Sequence, residues 1–161
     1  MTFAQLYSRS LGLLKTFQGR GVEQGDELII YHNNNQYFLE AFWACLLGGI
    51  IPVPGAIGIM DEHRAKLIRI FEKLEKPHLY TEQSQYQRIT DFIQSNNSTV
   101  SLENLRNKTL LVDQVVDITT PGVLADIDLD NIAFIQFSSG STSEPKGVVL
   151  THRNVMTTIR A

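Results

Sequence analysis

Short apolar runs alternate with longer stretches of helical periodicity along nearly the whole of this chain. ELIIYH (27–32), IIPVP (50–54), PHLYT (77–81), IAFIQF (132–137) and GVVLT (147–151) read as strands, and TLLVDQVV (109–116) as a further candidate. Before the first of them, Phe3, Leu6, Tyr7, Leu11, Leu14 and Phe17 recur at the spacing of an amphipathic helix. The stretch from Asn33–Asn35 to about Leu47 is apolar on nearly every face and predicts a helix buried on most sides, with the asparagines as its cap. Asp61 is placed to cap a helix bearing Leu67, Ile70, Phe71 and Leu74 on one face. The Glu, Lys and Arg on its other face read as solvated surface. Tyr86, Ile89, Phe92 and Ile93 mark another helix, and Thr151 can cap a last one beginning at about His152. Strand following helix in this way implies βαβ units. The expected class is α/β, a mostly parallel sheet with helices on both faces.

No repeat, low-complexity segment or long linker divides the 161 residues, so residues 1–161 read as a single unit with one core. Residues 41–60, AFWACLLGGIIPVPGAIGIM, carry no charge and reach the length of a membrane span. Six glycines and prolines interrupt them, however, and a proline costs a continuous helix about 3 kcal/mol. A buried helix, a glycine turn and a buried strand are expected instead, with Trp43 and Cys45 in the core. The net charge of −3 with no basic block disfavours nucleic acid as a partner. A single cysteine allows no internal disulfide and no signal peptide opens the chain, so a cytoplasmic setting is expected. His32, His63, His78 and His152 lack ligand spacing, so no metal site is expected among them.

One loop carries chemistry. Residues 138–147, SSGSTSEPKG, hold five hydroxyl side chains, two glycines, a proline and a lysine between two apolar strands. In open α/β sheets ligands gather beyond the carboxyl ends of strands, and this loop starts where IAFIQF should end. Gly140 and Gly147 permit backbone angles that turn amides inward together, and clustered amides form an anion-binding concavity. Ser138, Ser139, Ser141, Thr142 and Ser143 add hydroxyl donors. Pro145 restrains the loop, and Lys146 matches the charge of a phosphate. The common P-loop, G-x-x-x-x-G-K-[ST], is not present: Pro145 precedes the lysine and Gly147 follows it, leaving no hydroxyl to hold Mg2+ in the usual way. A kinase-type NTPase is disfavoured. The plain alternative is a surface connection with a stray lysine.

FSSGSTSEPKGVVLTHRN resembles the signature loop of the adenylate-forming (AMP-binding) superfamily, [ST]-[ST]-G-[ST]-T-G-x-P-K-G-V, at Ser138, Ser139, Gly140, Ser141, Thr142, Pro145, Lys146, Gly147 and Val148. Ser143 departs from it, standing where the pattern has glycine; a positive φ there would strain serine. The opening of the chain, through LLGGIIPVPG, is similar to the start of the same large domain. FWACLLGGIIPVP and AFIQFSSGSTSEPKGVVLTHRN are closest to fatty-acyl-AMP ligases and to acyl-loading adenylation domains of polyketide and nonribosomal peptide synthetases. The resemblance implies an ATP-dependent ligase that activates a carboxylic acid as acyl-AMP for transfer to the thiol of CoA or an acyl carrier protein. Catalytic roles fall to Lys146 and Thr142. Nucleotide binding falls to Ser138, Ser139, Gly140, Ser141, Thr142, Ser143, Lys146 and Gly147, with ATP accompanied by Mg2+.

The resemblance also implies absences. The metal-binding acid of Y-G-x-T-E and the ribose contact of T-G-D do not occur here, nor does a carboxy-terminal domain with its lysine. The chain is therefore expected to be the amino-terminal portion of a larger AMP-binding domain, inactive alone. Such a piece should expose apolar surface and invite self-association. Two other readings remain open: a non-catalytic nucleotide- or phosphate-binding module, or truncated gene remnant, and a structural α/β domain. Elsewhere, His152 reads as capping or packing. The acids of residues 117–131 read as a solvated connection. Tyr31 and Asn33–Asn35 lie beyond a strand end, within possible reach of a ligand.

Overall fold

A computed structural model describes residues 1–96, 98–115, 117–138 and 144–160. Its elements run α1 (Phe3–Gly19), β1 (Glu27–Tyr31), α2 (Asn35–Gly48), β2 (Ile51–Pro54), α3 (Asp61–Lys73), β3 (Pro77–Thr81), α4 (Gln83–Ser95), α5 (Leu102–Asn107), β4 (Thr109–Leu111), β5 (Ile132–Phe137), β6 (Gly147–Thr151) and α6 (His152–Arg160). The first four strands form a parallel sheet in the order β2-β1-β3-β4, with β1 at its centre pairing Ile29 to Val53 on one side and to Leu79 on the other.

Alternate residues of β1 enter different layers, as the pleat requires. Leu28 and Ile30 meet Leu14 and Phe17 of α1 and Ala41 and Cys45 of α2. Ile29 and Tyr31 meet Leu67, Ile70 and Phe71 of α3 and Ile89 of α4. Helices thus cover both faces, which is why ELIIY reads as a continuous apolar run. Residues 41–60 divide as expected. The helix ends at Gly48, Gly49 turns in the left-handed region at φ 63°, and β2 follows. No described helix is long and apolar enough to cross a membrane.

Several expectations need correction. Trp43 is 44% exposed and Leu39 41%, so α2 keeps one face towards solvent and only Cys45 of the Trp43–Cys45 pair is core. Asp61 is the first residue of α3 rather than its cap; Met60 is the cap, without a side-chain bond, while Asp61 accepts from Arg64 at 2.7 Å. The candidate strand 109–116 stops at Leu111, where a single 3-10 turn begins. Helix α5, too short for a periodic signal, is capped by Ser101.

Residues 117–131 are more than a solvated connection. β4 and β2 lie at opposite edges of the sheet, so the chain must cross the α1–α2 layer to reach β5, which lies against β2. It does so as a strap. Gly122 N–H donates to Leu11 C=O at 2.8 Å, and Ala125 N–H to Leu47 C=O at 3.0 Å. The Gln18 side-chain amide donates to Val123 C=O and accepts from Val123 N–H. Gly12 makes room beneath the strap: a Cβ there would stand 1.9 Å from the Ile118 carbonyl oxygen.

Two buried histidines give the fold an acid limit. His32 is 8% exposed, its ring against Tyr80 and Tyr37, and neither ring nitrogen has a partner. Burial lowers its pKa despite Glu82 and Asp113. His78 is lowered by burial first and then by Lys108, which outweigh its contact with Asp26 at 3.2 Å. A depressed folded pKa means that the unfolded chain binds protons first. Stability is therefore complete above the ordinary histidine pKa of about 6.5 and falls as pH drops below it. His32→Phe is expected to hold or raise the melting temperature at pH 7 and to flatten its decline between about pH 6.5 and 5. Melting curves across that range check this; an unchanged acid slope would count against it.

Candidate functional site

β5 and β6 form an antiparallel hairpin that pairs Phe137 with Gly147 at the loop end. Just beyond that pair Ser138 N–H donates to Lys146 C=O at 3.0 Å, so the polar segment leaves and re-enters through one closed neck. The loop begins at the carboxyl end of IAFIQF, as expected. Of its residues, Ser138, Glu144, Pro145, Lys146 and Gly147 are described, whereas Ser139, Gly140, Ser141, Thr142 and Ser143 lie outside the described residues.

Gly147 does not serve as expected. Positive φ occurs among the described glycines at Gly21, Gly25 and Gly49, and not at Gly147. A Cβ at 147 would instead stand 3.0 Å from the Phe137 ring and 3.1 Å from the Ile135 side chain. The Phe137 ring and the Ile135 side chain pack closely over the glycine, so a Cβ there would make them shift by a few tenths of an ångström. Ile135 belongs to the same buried cluster as Ile51, Val53 and Phe71, and Phe134 meets Phe42 of α2 at 5.8 Å. The hairpin is thus fixed against both layers.

Pro145 is buried and Lys146 is exposed. Both line an open groove of about 730 Å³, beside Lys73 and over the apolar side chains of Ile51 and Phe137. Glu27 and Glu75 line the same groove, so its charge is mixed, and Lys146 is the cation that the loop itself contributes.

Helix α3 supplies residues from the charged face that its sequence pattern predicts to be solvated. Lys66 Nζ donates to Ser138 C=O at 2.8 Å, and Lys73 Nζ donates to Pro145 C=O at 2.9 Å. Lys73 also pairs with Glu144 at 3.2 Å. Their signal was the spacing: seven residues are close to two full turns, so both lysines leave one side of the helix. Sequence alone could not say that this side faces the hairpin.

Other candidates take structural roles. Tyr31 is a core residue, and Asn34 caps α2 by accepting from Gln36 and Tyr37 N–H. Thr151 and Asn154 exchange bonds at the start of α6: Thr151 N–H and Oγ–H donate to Asn154 Oδ1, and Asn154 N–H donates back to Thr151 Oγ1. His152 contributes its backbone N–H to Asn131 C=O, and its side chain is half-buried. Among the described residues no three His, Cys, Asp or Glu side chains are placed to hold a metal ion. Val148 (56%), Val149 (52%) and Ile159 (73%) are exposed apolar residues of β6 and α6.

Known proteins match this chain in sequence and in fold. The medium-chain-fatty-acid–acyl-carrier-protein ligase JamA of Moorena producens is 28% identical over 141 residues, 84% of this chain and 23% of that protein. A long-chain-fatty-acid–AMP ligase of Mycolicibacterium smegmatis is 27% identical over 161 residues, 99% of this chain and 25% of that protein. The chain therefore spans about a quarter of the length of these curated relatives. Among solved structures, the McyG A-PCP complex with phenylalanyl-adenylate superposes with a TM-score of 0.83 at 28% identity, covering 98% of this chain and 28% of that one. The family model described as AMP-binding enzyme matches residues 1–161, the whole sequence, and the chain belongs to that family.

Proposed function

We propose that this chain supplies the phosphate-holding loop of an acyl-adenylating ligase. A carboxylate oxygen attacks the α-phosphorus of ATP, the bond to the bridging oxygen breaks, and pyrophosphate leaves. Negative charge grows on the departing pyrophosphate. Lys146, with the hydroxyls of Ser138, Ser139, Ser141, Thr142 and Ser143 and the amides about Gly140 and Gly147, would receive it, and catalysis of this kind is electrostatic. The observation that carries this reading is the narrow neck of the β5–β6 hairpin. It presents an exposed Lys146 beside a buried Pro145, within the family's own loop pattern. Mg2+ bound to the nucleotide would supply charge neutralisation at the phosphates, and no ligand for it is assigned to this chain.

The acid is a fatty or related acyl acid, by the chemistry printed in the names of both curated relatives. The acceptor is a thiol, of a carrier protein or of CoA. Residues 1–161 act as the amino-terminal portion of a larger catalytic domain. The chain by itself is expected to bind MgATP yet to show no acid-dependent ATP–pyrophosphate exchange. Exchange assays with a panel of fatty acids check this, and robust exchange by the pure chain would overturn the division of labour. A non-catalytic nucleotide-binding module would share the binding; it is favoured if appending the missing portion of the domain restores no exchange.

A further inference from the structure

The two lysines of α3 sit at matching places on the loop. Lys66 reaches the carbonyl of Ser138, where the loop leaves β5, and Lys73 reaches the carbonyl of Pro145, just before β6. The seven-residue spacing places them about 10 Å apart along the helix, on one side. Their helix is anchored, because Leu67, Ile68, Ile70 and Phe71 are buried in the core cluster that includes Ile29 and Leu79 of the sheet. One rigid element therefore holds both ends of the loop. Two long side chains give up rotamer freedom to bond these particular carbonyls. Neither carbonyl belongs to a helix or strand that would otherwise satisfy it.

We propose that Lys66 and Lys73 are positioning residues that clamp the two stems of the phosphate loop, at Ser138 and Pro145; this rests on the phosphate-holding role of that loop. The mechanism follows from the planar trans peptide, in which C=O and the next N–H point in opposite directions. Drawing the Pro145 carbonyl towards α3 turns the Lys146 amide N–H away from α3. The neck bond from Ser138 N–H to Lys146 C=O is held in the same frame. The Lys73–Glu144 pair adds a second tie at the β6 side. The lysines act through the loop backbone, and the phosphates themselves fall to Lys146.

The test uses the whole chain and two readouts, the hydrogen exchange of the Ser138 amide by NMR and the affinity for MgATP. In K66M/K73M the Ser138 amide is expected to exchange several-fold faster, while Ile29 and Leu79 in the sheet keep their protection. MgATP binding is expected to weaken by about tenfold. K66R/K73R, which keeps donors of similar reach, is expected to recover most of both effects. Loss of charge alone would be screened at about 1 M salt, where the Debye length is near 3 Å, so a deficit that persists there reports the clamp. Unchanged Ser138 exchange, or a binding deficit that salt removes, would overturn the clamp while leaving the phosphate reading in place. No MgATP binding by the unsubstituted chain would instead overturn the phosphate reading, and with it the purpose assigned to the clamp.

Discussion

Gly12→Ala is expected to lower the melting temperature by roughly 4–8 °C, a loss of about 2 kcal/mol for a chain of this size. Two effects oppose each other. Gly12 lies inside α1, where alanine gains about 1 kcal/mol of helix propensity. The added Cβ, however, would stand 1.9 Å from the Ile118 carbonyl oxygen and 2.3 Å from its carbon. Those are backbone atoms, and no rotamer change relieves them. The strap has to lift. Lifting it breaks the Gly122–Leu11 bond and the paired Gln18–Val123 bonds, worth about 1 kcal/mol each, so the loss exceeds the gain. Gly19→Ala in the same helix is the control. Nothing lies within 4 Å of its Cβ, and it should be neutral or slightly stabilising. Differential scanning calorimetry of the two variants decides the matter; a Gly12→Ala protein that melts at or above the parent would show that the strap does not seat on α1. The same variant tests how function depends on this packing, since the strap delivers the chain to β5 and so to the loop.

The contrast between Gly12 and Gly147 shows which parts of the fold could be read from residues alone. Period and burial are local: ELIIY, PHLYT and the stripe Leu67–Ile70–Phe71 announce themselves because each residue's environment repeats along its own element. The place of the polar segment was legible too, since it begins where the apolar run IAFIQF ends and stops where GVVLT starts. What the sequence could not carry was the partner across a gap. Gly12 looks like a weak point in a helix until Ile118 is placed over it, more than a hundred residues later. Gly147 suggests backbone freedom until the Phe137 ring is seen to pack close to where its Cβ would stand. Lys66 and Lys73 look like ordinary surface charge until the hairpin arrives beside α3. Trp43 errs in the opposite direction: its apolar neighbours suggested core, yet its side of α2 receives no described layer. The antiparallel β5–β6 pair falls in the same class. Alternating strand and helix foretold a parallel sheet, but β5 and β6 have only a loop between them, and a loop of this length permits a hairpin and no crossover helix.

Lys146→Ala is expected to weaken MgATP binding roughly tenfold to a hundredfold, the range set by losing one charge-assisted contact to a phosphate. Folding should be untouched, within about 0.5 kcal/mol, because the Lys146 side chain is exposed. The bond that closes the neck uses the backbone oxygen of Lys146, which alanine keeps. A fall in affinity therefore reports the ammonium group and not the shape of the hairpin. Lys146→Arg should fall between parent and alanine variant: it retains charge, but its planar fork does not reproduce a compact point charge at the same reach. Titration calorimetry with MgATP, paired with a melting curve for each variant, separates the readings. Weaker binding with an unchanged melting temperature supports a phosphate site at Lys146. Equal binding by parent and Lys146→Ala would remove Lys146 from the site and leave the loop without its cation. The order of effects matters as well. If Lys146 holds the phosphate and α3 holds the loop, Lys146→Ala should cost affinity without changing Ser138 exchange, whereas K66M/K73M changes both. Adding the α3 substitutions to Lys146→Ala should then cost less than they cost the parent, because a misaimed loop has less to lose once its cation is gone.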